Sequence, residues 1–177
     1  RRPFDEPCFN VTSNVYKGTV DAVNFLVKKG HKRIAHILGP QSLLTTKERY
    51  QGYLDGLKAN NLPLDKSLLY SSDLSTGGTI RAVDKLLSLK DVPTAIIAFK
   101  DYIVMDAMQY IKSLTKRSFK KIEFVGFGNL PMLKYLDNPP LASLEEQSAL
   151  IGSRAAELLM KRIRAEDQKL PPESIQF

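Results

Sequence analysis

Two hydrophobic patterns take turns along this chain. From residue 14 to 29, Val15, Thr19, Ala22, Val23 and Leu26 fall on one side of a helical wheel. Ser13 or Asn14 can cap the start of that helix, and Gly30 suits a left-handed cap at its end. Ile34 to Leu38 is a short apolar run with the length of a buried strand. Gly39-Pro40 breaks it, and a helix is expected from about Thr46 to Asn60, burying Tyr50, Tyr53, Leu54 and Leu57. Leu68 to Ser71 reads as a strand and Asp73 to Gly78 as a loop. A helix to about Leu89 follows, with Ile80, Val83, Leu86 and Leu87 inward. Thr94 to Phe99 is the clearest buried strand. Asp101 can cap the next helix, whose apolar face is Ile103, Ala107, Tyr110, Ile111 and Leu114. Ile122 to Phe127 is the next strand.

This alternation predicts an α/β fold, a parallel sheet flanked by helices. Ligands of such sheets collect beyond the carboxyl ends of the strands, which directs attention to Gly39–Arg49. After residue 128 the alternation stops. Residues 128–140 are irregular, with Pro131, Pro139 and Pro140. A short strand is expected at 141–145 and an amphipathic helix at about 148–165, with Leu150, Ile151, Ala155, Leu158, Leu159 and Ile163 inward. Residues 174–177 complete the pattern as a last strand, while residues 1–12 read as extended or irregular.

Composition narrows the function classes. The 177 residues carry 26 basic and 19 acidic side chains, a net charge of +7. The lysines are spread along helices, many in last turns where the helix dipole favours them. The densest patch, Lys116-Arg117 with Lys120-Lys121, reads as a solvated loop or, less readily, as a phosphate-binding surface. No apolar run reaches membrane-spanning length, and Arg1–Pro7 lacks the apolar core of a secretory signal. The lone cysteine, Cys8, suits a reducing cytoplasm and reads as a small side chain near a chain end. His31 reads as part of a helix-ending turn and His36 as a core or sheet-face residue. Neither has cysteine or carboxylate companions at metal-ligand spacing. With no glycine-rich phosphate loop, nucleophile elbow or catalytic dyad, no enzyme is indicated, and no cofactor is expected.

Several motifs in order carry a family resemblance. Gly30-His31-Lys32-Arg33-Ile34-Ala35, Gly39-Pro40 and Arg49-x-x-Gly52-Tyr53 come first. Pro93–Ala98 with Asp101, Phe124-Val125-Gly126-Phe127, and Pro140–Leu144 followed by Gly152 come after. Together they resemble the effector-binding domain of lactose-repressor/galactose-repressor (LacI/GalR) regulators over nearly the whole chain. The resemblance implies one full periplasmic-binding-protein-like lobe and part of a second. Residues 1–13 would be a crossing segment and 14–130 the C-terminal lobe. Residues 131–170 would cross back and add a strand and helix to the N-terminal lobe, and 171–177 would return a strand to the C-terminal lobe. It further implies a cytoplasmic homodimer that does not bind membranes and binds operator DNA through a helix-turn-helix absent from this chain. The helix at 148–165 should then lack part of its packing partner. A transporter's sugar-binding protein shares the fold and is the alternative.

The same resemblance nominates the effector-binding residues. Arg49 matches the family's effector-binding arginine, against the alternative of an exposed helix arginine; its planar donor fork suits vicinal hydroxyls or a carboxylate. Thr45 is a polar loop contact or a helix cap, and Leu43 replaces a polar ligand. Asn14 is a ligand contact or an N-cap. Leu74 stands where relatives stack an aromatic ring. The family's Asn-Asp pair is Lys100-Asp101 here, and its acid after the Val-Gly-Phe motif is Gly128. One position gains a positive charge and the other loses a negative one, so the implied effector is a sugar-like small molecule, either of anionic type, such as a sugar acid or sugar phosphate, or one for which Lys100 points to solvent and the absent lobe rebuilds the pocket.

Overall fold

The computed structural model describes residues 9–114, 121–164 and 173–177. They form two compact units, one of residues 15–144 and one from the flanking segments. In the larger unit the elements run α1 (Val15–Lys28), β2 (Ile34–Leu38), α2 (Leu44–Ala59), β3 (Leu69–Ser71), α3 (Thr76–Leu87), β4 (Ala95–Ala98), α4 (Asp101–Ser113), β5 (Glu123–Phe127) and β6 (Ala142–Leu144). All five strands are parallel, in the order β3-β2-β4-β5-β6. In the smaller unit β1 (Asn10–Thr12) pairs in parallel with β7 (Ser174–Gln176), and α5 (Ser148–Arg164) packs on β1.

The central strands are short and buried because both sheet faces are covered. Every residue of β2 and β4 is buried. On one face Ile34, Ala95, Ile97, Val125 and Phe127 meet Val23 and Leu26 of α1 and Tyr53 and Leu57 of α2. On the other, Ala35, Ile37, Ile96 and Ala98 meet Val83 and Leu86 of α3 and Ile103, Val104 and Ala107 of α4. The five residues expected inward on α1 are the five that are buried. Gly30 ends α1 at φ +94°, with its N–H on the Val27 carbonyl and that of His31 on Leu26.

Helix α2 differs from expectation in an instructive way. Tyr53 and Leu57 are buried, but Tyr50 and Leu54 are only half-buried, and the remaining buried positions are Thr46, Arg49, Gly52 and Gly56. A Cβ on Gly52 would overlap the Tyr16 carbonyl, and one on Gly56 would lie 2.8 Å from Val23 Cβ. The α1–α2 contact is therefore a glycine seam with four-residue spacing, where the backbones come close. Hydrophobic periodicity carries no signal for such a seam.

Two expectations about connectivity are corrected. The strand expected to cross into another lobe, β6, extends the five-stranded sheet instead. Val125, Gly126 and Phe127 pair with Ala142, Ser143 and Leu144. The final strand joins β1 rather than this sheet. Their pairing is completed by Asn10 N–H to the Glu173 carbonyl and Phe177 N–H to that of Thr12, both 3.0 Å. Of the apolar face of α5, only Leu158 is buried, while Leu159 and Ile163 are each 60% exposed. Cys8 and most of the 116–121 basic patch lie outside the described residues.

Candidate functional site

Parallel strands bring the ends of β2, β3, β4 and β5 to one edge, and Thr45, Arg49, Leu74, Lys100, Asp101 and Gly128 all follow those ends. Asn14 belongs to the smaller unit, where its N–H donates to the Phe177 carbonyl at 2.5 Å. Thr45 is not in a loop. Helix α2 starts one residue before it, at Leu44, with Leu43 at the cap position and no side-chain cap bond. Asp101 is likewise the first helical residue of α4 rather than its cap, which is Lys100.

Arg49 is enclosed, with 1% of its surface exposed. It is not an exposed helix arginine. Its guanidinium carbon lies 4.2 Å from the ring centres of both Phe99 and Phe127, and Nη1 donates to the Phe99 carbonyl at 2.9 Å. Flat guanidinium stacked between aromatic rings is a favourable arrangement once desolvated. Phe99 in turn lies over Gly39, where an added Cβ would come 2.8 Å from the ring. No ligand role follows from sequence for the two phenylalanines, yet Phe99, just after β4, and Phe127, the last residue of β5, close over the same cation. Two aromatics following two adjacent strands was the available signal.

Asp101 is also turned inward, with 0% exposure. The Ser143 hydroxyl donates to its carboxylate, at 2.7 and 2.9 Å from the two oxygens, and the Leu130 N–H donates to Oδ2 at 2.9 Å. Ser143 Oγ accepts from the Asn129 N–H at 2.9 Å. This carboxylate, expected to face an effector, ties the β5–β6 connection to the head of α4. Gly128 sits in that connection at φ +125°, with its N–H on the Leu144 carbonyl. Side chains rarely adopt that conformation, so this backbone path does not readily accommodate an aspartate.

The β3–α3 loop is equally self-contained. Asp73 Oδ1 accepts from the N–H and hydroxyl of Ser75, which hold this carboxylate below the usual range. Ser75 Oγ accepts from Gly78 N–H, capping α3. Leu74 is held at φ +68°, with its N–H on Ser72 Oγ. A left-handed leucine costs about 1–2 kcal/mol. Its side chain packs against the α3/α4 core cluster rather than presenting a free apolar face.

Several buried polar groups lie near Arg49. His36 projects from the middle of β2, fully buried, with its ring centre 5.3 Å from that of Tyr53. Among the described residues neither ring nitrogen of His36 has a hydrogen-bond partner, nor has the buried Thr46 Oγ1. Burial, then the positive charge of Arg49, lowers the His36 pKa to about 3. Tyr53 donates its hydroxyl to the Ile34 carbonyl at 2.8 Å, and burial raises its pKa. Elsewhere, a groove of about 610 Å³ runs between α4 and the segment before β6. Met105, Met108, Ile111, Phe124 and Leu136 line it, with Asp106 and Asp137 also contributing. No group of three or more histidine, cysteine or acidic side chains among the described residues could hold a metal ion, and no described helix is long and apolar enough to cross a membrane.

Residues 23–176 match the family described as "Periplasmic binding protein-like domain". The HTH-type transcriptional repressor PurR of Actinobacillus pleuropneumoniae serotype 5b (strain L20) is 29% identical over 175 residues, covering 98% of this chain and 51% of that protein. PurR of Aliivibrio fischeri (strain MJ11) is 29% identical over 161 residues, covering 90% and 48%. Among solved structures, the transcriptional regulator CelR–cellobiose complex superposes with a TM-score of 0.88 at 28% identity, covering 99% of this chain and 54% of that one. A regulatory protein of the LacI family from Chloroflexus aggregans gives 0.83 at 27%, covering 99% and 63%. The chain spans about half the length of the curated relatives it matches. It belongs to the periplasmic-binding-protein-like domain family, in the form carried by LacI-type transcriptional regulators.

Proposed function

We propose that this chain is the ligand-sensing part of a LacI-type repressor, and that its effector is a small anionic sugar derivative bound at the carboxyl edge of the five-stranded sheet. The observation that carries the charge is the state of the acids at that edge. The Asp101 carboxylate is buried against Ser143 and Leu130, Asp73 is engaged by Ser75 and Arg81, and position 128 is a positive-φ glycine. Lys100 stands at the head of α4, where the helix dipole adds to its attraction for an anion. Thr45, in the first turn of α2, is the polar contact of this reading. Arg49 supports the edge by fixing Phe99 and Phe127, and it touches a ligand only if one of those rings turns aside.

The relatives bearing the PurR name are described as HTH-type repressors. In this reading the operator is bound by a helix-turn-helix outside this chain. The effector acts through its difference in affinity for two arrangements of the full domain, since a ligand shifts an equilibrium only by that difference. The regulator pairs as a homodimer through the Met-lined α4 groove, which adjoins Tyr135, 78% exposed. The transporter alternative draws no support from the named relatives. The direct experiment is operator binding by the full-length regulator with and without galacturonate, glucuronate or glucose 6-phosphate. The reading predicts at least about a fivefold change in operator affinity, the lower end of ordinary allosteric coupling. A change elicited only by neutral sugars would remove the anion from it.

A further inference from the structure

The lysines that look scattered in the sequence are gathered by the topology. In a parallel α/β unit the helix carboxyl ends and the strand amino ends share one edge. Here that edge collects Lys28 and Lys29 from the end of α1, Lys32 before β2, Lys58 from the end of α2, Lys90 before β4 and Lys121 before β5. All six are exposed, and none makes an ion pair among the described residues. The acids nearby are Asp55, which lies close to Lys58 and accepts from Tyr16 and Gln51, and Asp65, Asp84, Asp91 and Glu123. Asp65 is already bound by Arg33 at 2.7 Å, and Asp84 accepts the Tyr110 hydroxyl. The opposite edge, where the proposed effector site lies, has acids and bases in near balance. Among the described residues of the larger unit, the basic excess therefore sits on this edge.

We propose that this face, the amino edge of the five-stranded sheet, is a sequence-independent docking surface for the phosphate backbone of duplex nucleic acid. Its geometry is fixed by the backbone. Thr94 N–H donates to the Arg33 carbonyl at 2.9 Å and Glu123 N–H to that of Thr94 at 3.1 Å, holding the starts of β2, β4 and β5 side by side. With strands about 4.8 Å apart, the starts of β2 and β5 lie about 10 Å apart, close to the Debye length at 0.1 M salt. The charges thus act jointly on a polyanion.

The residue types distinguish the partner. Protein interfaces are enriched in aromatics, methionine and arginine and depleted in lysine. This edge is the reverse: among its described residues Leu64 is the only large exposed apolar side chain. Single-strand binding relies on aromatic platforms, and Phe25, which lies under Lys29 at 5.7 Å, is half-buried. What remains is an array of point charges on flexible stems, which suits phosphate positioning without base reading. The face is separate from the effector edge, so this proposal does not depend on the effector reading.

The test uses the 177-residue chain and short fluorescein-labelled duplexes of two unrelated sequences, read by anisotropy from about 50 to 200 mM salt. Both duplexes should bind equally, with dissociation constants in the range of about 10⁻⁴ to 10⁻⁶ M and a log–log salt slope of up to about −5 for six phosphates. The triple variant Lys28→Gln, Lys29→Gln, Lys32→Gln should weaken binding at least about tenfold and reduce the slope by about 3. Lys17→Gln, Lys47→Gln, Lys134→Gln removes the same charge from the other edge and should change binding by less than about twofold. If the triple variant proves unstable in a thermal melt, Lys90→Gln with Lys121→Gln tests the same face and should reduce the slope by about 2. Equal losses in the two triple variants, or no binding at the lowest salt, overturn the proposal. A poly-glutamate of matched charge that binds as tightly as the duplex also overturns it, and assigns the face to an acidic protein.

Discussion

Replacing His36 with leucine should make this protein more stable, and increasingly so as the pH falls. His36 is fully buried in the middle of β2, and neither ring nitrogen has a partner among the described residues. A buried unsatisfied polar group costs about 1–3 kcal/mol, and leucine removes that cost while filling a similar volume. At pH 7 the gain of about 1 kcal/mol or more corresponds to a melting midpoint raised by at least about 2–4 °C. The acid dependence is sharper. The His36 pKa is lowered from 6.5 to about 3 in the folded state. Above pH 6.5 the ring is neutral in both states and nothing is lost. Between pH 6.5 and about 3 only the unfolded chain takes up the proton, so stability falls with pH, by about 1.4 kcal/mol per unit. The total approaches about 5 kcal/mol near pH 3, and the loss then stops. Urea unfolding of wild type and His36→Leu at pH 7, 6, 5 and 4 measures this. Carboxylates contribute alike to both proteins, so the readout is the widening gap between them. Parallel curves would refute the burial of an unpartnered imidazole. A variant less stable than wild type at pH 7 would show that the ring has a partner, such as an ordered water.

Three further substitutions probe other parts of the account. Ser143→Ala removes the hydroxyl that donates to the buried Asp101 carboxylate and should cost about 1.5–3 kcal/mol, the range for hydrogen bonds to charged groups, measured by denaturant unfolding. Gly56→Ala would place a methyl 2.8 Å from Val23 Cβ in the α1–α2 seam. It should destabilise by about 1–3 kcal/mol through overpacking, despite alanine's better helix propensity. Met105→Glu puts a charge into the α4 groove. In sedimentation velocity on the full-length regulator it should shift dimer towards monomer, and an unchanged dimer would place the interface elsewhere.

The fold was legible wherever burial follows apolar periodicity. β2 and the inward face of α1 were readable to the residue, because both bury only what the pattern marks. The α2 seam was not, because Gly52 and Gly56 mark closeness by having no side chain. The pairing of β6 was not legible either, since a three-residue strand carries no information about its neighbour. At the candidate site, Thr45, Arg49, Leu74, Lys100, Asp101 and Gly128 follow strand ends, as their motifs suggest, but sequence could not give their orientation. Arg49 and Asp101 look like groups for a ligand in the sequence. In the structure both are buried, one between Phe99 and Phe127 and the other on Ser143 and Leu130. Residue type sets what a side chain can bind, whereas tertiary packing decides what it does bind.

The most direct test of the central claim is a calorimetric and thermal-shift comparison of galacturonate with galactose on the full-length protein, with Lys100 intact and as Lys100→Asn. At a hundred times its dissociation constant, a specific ligand adds about 2.7 kcal/mol, or about 5–11 °C for a domain of this size. Such a shift is expected with the acid, or with a sugar phosphate in its place, little with the neutral sugar, and loss of the preference in Lys100→Asn. Tighter binding of galactose than of its uronic acid, or a preference that survives Lys100→Asn, would contradict it.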